Sequence, residues 1–130
     1  MTKCSVYLAG NESLNYWKIG VSSDPKRRVT GLLLPFEVSL LAEVPVGLRG
    51  EAFEVEKLLH KRFQPLLIRP EWFRDMDPIV FQVEATAAIP QAKENYKRSC
   101  EPTEAYLQRM KERRNKRWKR TQEYLGLHLC

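Results

Sequence analysis

The sequence predicts a small α/β (α+β) domain, a three-stranded antiparallel sheet flanked by helices, followed by a basic helical C-terminal arm. Three observations carry this. Trp17, Ile19 and Val21 alternate with Lys18 and Gly20, the period of a half-buried strand, and run straight into a helix start. Ala52, Val55, Leu58, Leu59 and Phe63 fall on one apolar stripe at helical spacing. Finally, the net charge of +6 is concentrated: Arg109 to Arg120 holds eight Lys/Arg against the single acid Glu112, so the remainder is near neutral. Residues 1–88 are read as the folded domain and 89–130 as the extension.

Ser5-Val6-Tyr7-Leu8-Ala9 is the first strand, Gly10 to Ser13 a turn, and Leu14 to Val21 the returning strand of a hairpin. Ser22, Ser23 and Asp24 offer capping oxygens, and Pro25 stands where a helix tolerates a missing N–H. That helix is expected to reach about Leu33, because Leu34 precedes Pro35 and avoids helical geometry. Phe36 to Val46 reads as a third strand. Gly47 to Gly50 breaks the chain before the helix Glu51 to Phe63, which Pro65 stops. Glu71-Trp72-Phe73 is a short edge strand or anchor whose aromatics, both read as core, cover the interior. Asp77-Pro78 caps a third helix, expected to run to about Ala88 before Pro90. Glu101-Pro102-Thr103-Glu104 starts a last one, with Leu107, Met110, Trp118 and Leu125 as an interrupted apolar line and Gly126 as its stop.

Composition narrows the function classes. No apolar run approaches a membrane span, and Met1-Thr2-Lys3-Cys4 has no signal-peptide core. Cys4, Cys100 and Cys130 are odd in number and widely spaced, which points away from a disulfide scaffold or zinc site and towards free thiols in the cytoplasm. His60 and His128 are too few for a histidine metal cage. The charge layout is that of a folded module with a polyanion-binding arm: Arg109, Lys111, Arg113, Arg114, Lys116, Arg117, Lys119 and Arg120 are its candidate nucleic-acid contacts. Trp118 within the run either stacks on a base or docks on protein.

Lys26, Arg27 and Arg28 crowd the first turn of a helix, the end where cations are unfavourable. A phosphate would favour them, since helix N-termini and guanidinium forks both receive anions. Arg27 reads as a surface cation; with Lys26 it could meet a nucleic-acid backbone. Glu56 and His60, four residues apart, share one helix face.

Taken in order, Tyr7, Lys18-Ile19-Gly20, Asp24-Pro25, Arg28, Glu56/His60/Phe63 and Glu71-Trp72-Phe73 resemble the GIY-YIG nuclease superfamily, in its small phage and bacterial branch with a Lys-Ile-Gly second motif. The likeness covers about residues 4 to 88. It implies a metal-dependent endonuclease hydrolysing DNA phosphodiester bonds, with Mg²⁺ (or Mn²⁺) as cofactor, in a bacterial or phage-infected cell. Tyr7 would orient or deprotonate the attacking water, and Arg28 would fork onto non-bridging oxygens. Glu56 would hold the metal, with His60 as proton donor or supporting partner. Lys18 stands where the family's second motif has tyrosine, a departure that leaves two roles open, base or phosphate holder. Tyr7 is a poor base in bulk, with a pKa near ~10, so a cation such as Lys18 must assist it. The alternative is a non-catalytic nucleic-acid-binding module on the same fold; a third is an RNA-directed protein.

Overall fold

In the computed structural model, which describes residues 3–124, five strands pair antiparallel in one sheet. They are β1 (Cys4–Asn11), β2 (Tyr16–Ser22), β3 (Ser39–Gly47), β4 (Leu67–Arg69) and β5 (Trp72–Phe73), in the order β3-β1-β2-β5-β4. The three expected strands form the first half of this sheet, and the short β4–β5 hairpin extends it. Four helices accompany it: α1 (Pro25–Thr30), α2 (Arg49–Arg62), α3 (Pro78–Cys100) and α4 (Glu104–Tyr124).

Alternation along β1 sorts its side chains between two cores. Val6 and Leu8, with Ile19 of β2 and Ala42 and Val44 of β3, meet Ala52, Val55 and Leu59 of α2 and Phe81, Ala85 and Ala92 of α3. Tyr7 and Ala9 point to the other face, where Val29 of α1 packs with Val38 and Leu40.

Local chemistry accounts for most element ends. Asp24 caps α1 by accepting from the Arg27 N–H at 3.3 Å. The helix stops at Thr30, short of Leu33, where the α-helical ladder gives way to a tighter turn, the Leu32 N–H bonding the Val29 carbonyl at 3.2 Å. β3 starts at Ser39, not Phe36: the Asn11 side-chain amide donates to the Glu37 carbonyl at 2.9 Å and holds that stretch as a loop. Pro45 is tolerated inside β3 because β3 is an edge strand.

Three expectations are corrected by packing. The helix expected from Glu51 begins at Arg49 and takes Gly50 into its first turn; a side chain at Gly50 would collide with the Tyr96 ring of α3. The Glu51 carboxylate reaches back to the Leu48 N–H at 3.0 Å, fixing that start. The third helix does not end at Ala88 but continues through Pro90 to Cys100. Phe81, Ala85 and Ala92 stay buried on one stripe on both sides of the proline, and that burial offsets the roughly 3 kcal/mol an internal proline costs. Glu71-Trp72-Phe73 is not at the sheet edge, since β5 lies between β2 and β4. Asn15 pins it there, accepting from the Asp75 N–H at 2.9 Å and donating to the Asp75 carboxylate at 2.8 Å.

The chain divides into two compact units, Met1–Arg98 and Ser99–Cys130. In the second, Thr103 accepts from the Tyr106 N–H at 3.2 Å and starts α4, later than Glu101-Pro102. Its eight cations from Arg109 to Arg120 are all exposed. Leu125, Gly126, His128 and Cys130 lie outside the described residues. No helix among the described residues is long and apolar enough to cross a membrane.

Candidate functional site

The register of β1 against β2 sets the geometry. Tyr7 pairs with Gly20, so the two share one face, and Lys18 lies two residues along on that same face. The Tyr7 ring covers Gly20 so closely that an added Cβ would lie 2.5 Å from its ζ carbon and hydroxyl. Lys-Ile-Gly therefore divides its labour: Ile19 fills the core, Gly20 makes room for the phenol, and Lys18 projects beside it.

Tyr7, Lys18, Gly20 and Arg28 border a cavity of about 370 Å³ whose far wall carries Glu56 of α2 and Glu71 of the β4–β5 turn. The Arg28 guanidinium hydrogen-bonds the Tyr7 side chain. Burial pushes the Tyr7 phenol above its ordinary value, and the hydrogen bond and charge of Arg28 pull against that. Arg28, not Lys18, is thus the cation on Tyr7. Lys18 instead lies 3.5 Å from the Glu71 carboxylate and 6.0 Å from the centre of the Trp72 ring.

Glu56 is raised above the usual carboxylate range, first by burial and then by the negative charge of Glu71, with Lys18 opposing. His60, one turn on, is lowered, chiefly by burial, although Glu71 and a hydrogen bond to the Ile19 backbone act the other way. Its ring packs edge-on against Phe73 at 5.1 Å. Its Nε2 lies 3.7 Å from Glu56 Oε1 and has no hydrogen-bond partner.

The fold thus gathers Tyr7, Lys18, Arg28, Glu56 and His60 from four elements into one neighbourhood. Lys26 and Arg27 are exposed on α1 and border shallow depressions outside the cavity. Arg109, Lys111, Arg113, Arg114, Lys116, Arg117, Lys119 and Arg120 belong to the second unit.

Two charged residues of the cavity had no site role in the sequence reading: Arg49, placed in the break before the helix, and Glu71, named only as part of the Glu71-Trp72-Phe73 motif. Arg49 precedes Glu56 by two helical turns, a relation visible only if the helix is extended through Gly50. Glu71 had a local signal. In the turn between Arg69 and Trp72, Pro70 takes the first central position and Glu71 the second, with φ of 73°. Glycine or asparagine normally occupies that position, so a glutamate there departs from ordinary turn chemistry. Trp72 and Phe73 separate by alternation: Phe73 is fully buried, while Trp72 is half-buried beside Lys18.

The donor set suits a hard divalent cation. Glu56 offers carboxylate oxygen in a cavity where burial and Glu71 leave its negative charge under-compensated, and such a cation takes one carboxylate and fills its other positions with water and phosphate. Among the described residues there is no cluster of three or more His, Cys, Asp or Glu that could encage a metal by itself.

The sheet thus presents a phenol and an ammonium, and α1 a guanidinium, around a cavity that also holds the Glu56 carboxylate of α2. The sequence places the protein: residues 5–89 match the T5orf172 domain, and the chain belongs to that family of phage and bacterial nuclease-like domains related to GIY-YIG-like endonucleases. No curated protein and no solved structure matches significantly.

Proposed function

We propose that this protein is a metal-dependent endonuclease of GIY-YIG type that hydrolyses DNA phosphodiester bonds in the cavity between Tyr7 and Glu56. The observation that carries the reading is the convergence of Tyr7, Arg28, Lys18 and Glu56 on one cavity, where cations and carboxylates stand side by side. Arg28 forks onto the non-bridging oxygens of the scissile phosphate, where charge develops in the transition state. Lys18 exchanges the exposed Glu71 carboxylate for a phosphate oxygen as the backbone enters. Tyr7 is held as neutral phenol by burial, so its hydroxyl orients the attacking water; Arg28 beside it stabilises any phenolate that forms. His60 is neutral, and its unpartnered Nε2 accepts a proton from a water held against Glu56; it acts as acceptor, not donor. Glu56 would hold Mg²⁺ or Mn²⁺, which when bound would supply a Lewis acid for the leaving oxygen. The basic helix α4 adds affinity through phosphate contacts that weaken steeply with salt.

Incubation of supercoiled plasmid with the protein and Mg²⁺ or Mn²⁺, beside Glu56→Ala, tests this directly. Nicking by the wild type and none by the variant, with salt-sensitive binding retained in both, is the expected result. Binding without nicking by the wild type would leave the non-catalytic nucleic-acid-binding module, and equal nicking by both would mean a site elsewhere.

A further inference from the structure

Beyond the cavity, the same sheet face continues into an aromatic cluster that the proposed hydrolysis does not use. Tyr16 stacks on Phe36 with ring centres 5.7 Å apart and planes 21° apart. Trp72 stands edge-on to both, at 5.9 Å from Tyr16 and 5.5 Å from Phe36. The three rings are half-buried, and none belongs to either hydrophobic core. With Leu34 and Arg69 they line a separate pocket of about 140 Å³.

Several features say what occupies it. Lys18 joins this pocket to the catalytic cavity, since it lines the latter and lies over the Trp72 ring. Tyr16 is one pleat repeat from Lys18 on the same face, a step of about 7 Å. A group on the aromatics is therefore within about one nucleotide of a phosphate held at Lys18. Arg69, exposed on the pocket's other side, has no ion-pair partner among the described residues. A pocket walled by aromatic rings, with a cation at Lys18 and another at Arg69, matches a base with its flanking phosphates, because aromatic stacking is indifferent to sequence and cations track the backbone. A base paired within a duplex cannot reach such a surface without leaving its stack.

We propose that Tyr16, Phe36 and Trp72 form a receptor for an unstacked nucleobase next to the scissile phosphate, so that the substrate is nucleic acid with an unpaired nucleotide at the cleavage point. This rests on the nuclease reading for the word scissile, but not for the binding itself.

The test is binding of the full chain, in EDTA, to short duplexes carrying 2-aminopurine, either paired or opposite a single-nucleotide gap. Stacking on the cluster is expected to quench the unpaired probe and to favour it about tenfold over the paired one. Phe36→Leu, on a loop residue outside both cores, should remove quenching and preference while leaving the circular dichroism unchanged. Arg69→Glu, at an exposed position, should weaken the gapped probe several-fold more than the paired one. Equal affinity for the two probes, or quenching that survives Phe36→Leu, overturns the proposal. Because no metal is present, the two readings fail separately. A chain that captures the unpaired base but never nicks sinks the hydrolase alone. One that nicks and binds paired duplex without discrimination sinks the base receptor alone.

Discussion

On one wall of the cavity a buried phenol and a guanidinium answer each other; on the other, two carboxylates share one ammonium. The first wall is a product of packing. Tyr7 is 2% exposed and seated over Gly20, and Arg28 projects onto it from a helix whose Val29 anchors in the same small core. The second wall is a product of charge. Burial and the charge of Glu71 raise the cost of ionising Glu56, Lys18 offsets part of it, and Glu71 sits at a backbone angle of the left-handed region. A settled wall positions; an under-compensated wall is ready for a cation.

Breaking each wall separately sharpens the contrast. The largest loss is expected from Arg28→Ala, which removes both the phosphate fork and the partner of Tyr7. Cleavage should fall about 100- to 1,000-fold with little change in binding, read from single-turnover kinetics against filter binding. Gly20→Ala comes next, because the new methyl displaces the Tyr7 ring. It should cost at least about tenfold in rate and about 1–3 kcal/mol in stability by denaturant titration.

The carboxylate wall responds to pH. Glu71→Gln removes a charge that holds Glu56 high, so the acid limb of the pH–rate profile should move to lower pH; an unmoved limb would show that the two carboxylates do not communicate. The smallest effect is in folding. Since the fold raises Glu56 above its unfolded value, the stability this group contributes is fully present below the unfolded carboxylate range and lost as pH rises through the raised value. Glu56→Gln should therefore melt slightly higher than wild type at neutral pH, and the gain should vanish on acidification, as scanning calorimetry across pH would show.

Much of this architecture could be read without coordinates, where local rules act alone. The β1–β2 hairpin, the Asp24 cap and Pro25 start, the α2 stripe and the helix after Asp77 are each written in a few neighbouring residues. Apart from the early end of α1, the departures come from distant partners. Gly50 reads as a break until Tyr96 is laid against it. Pro90 reads as a stop until Ala92 is seen to stay buried beyond it. Phe36 reads as strand until Asn11 takes the Glu37 carbonyl and Tyr16 takes the ring. Among site residues, Tyr7, Lys18, Arg28, Glu56 and His60 could be named from motif spacing. Glu71 stood in the Glu71-Trp72-Phe73 motif with no site role attached, and Arg49 was hidden by the misplaced helix start.

What the sequence determined by itself is the inventory: alternating strands, one apolar helix stripe, a capped helix start bearing Arg28, and a basic segment from Arg109 to Arg120. Periodicity, caps and charge are local quantities, and local quantities survive in a string of letters. Only the tertiary structure decided who answers whom: Arg28 for Tyr7, Glu71 for Lys18, Asn15 for Asp75, and Trp72 against Tyr16 and Phe36. Those pairings join residues far apart in the chain, and a distance of that kind exists only once the sheet has closed its register.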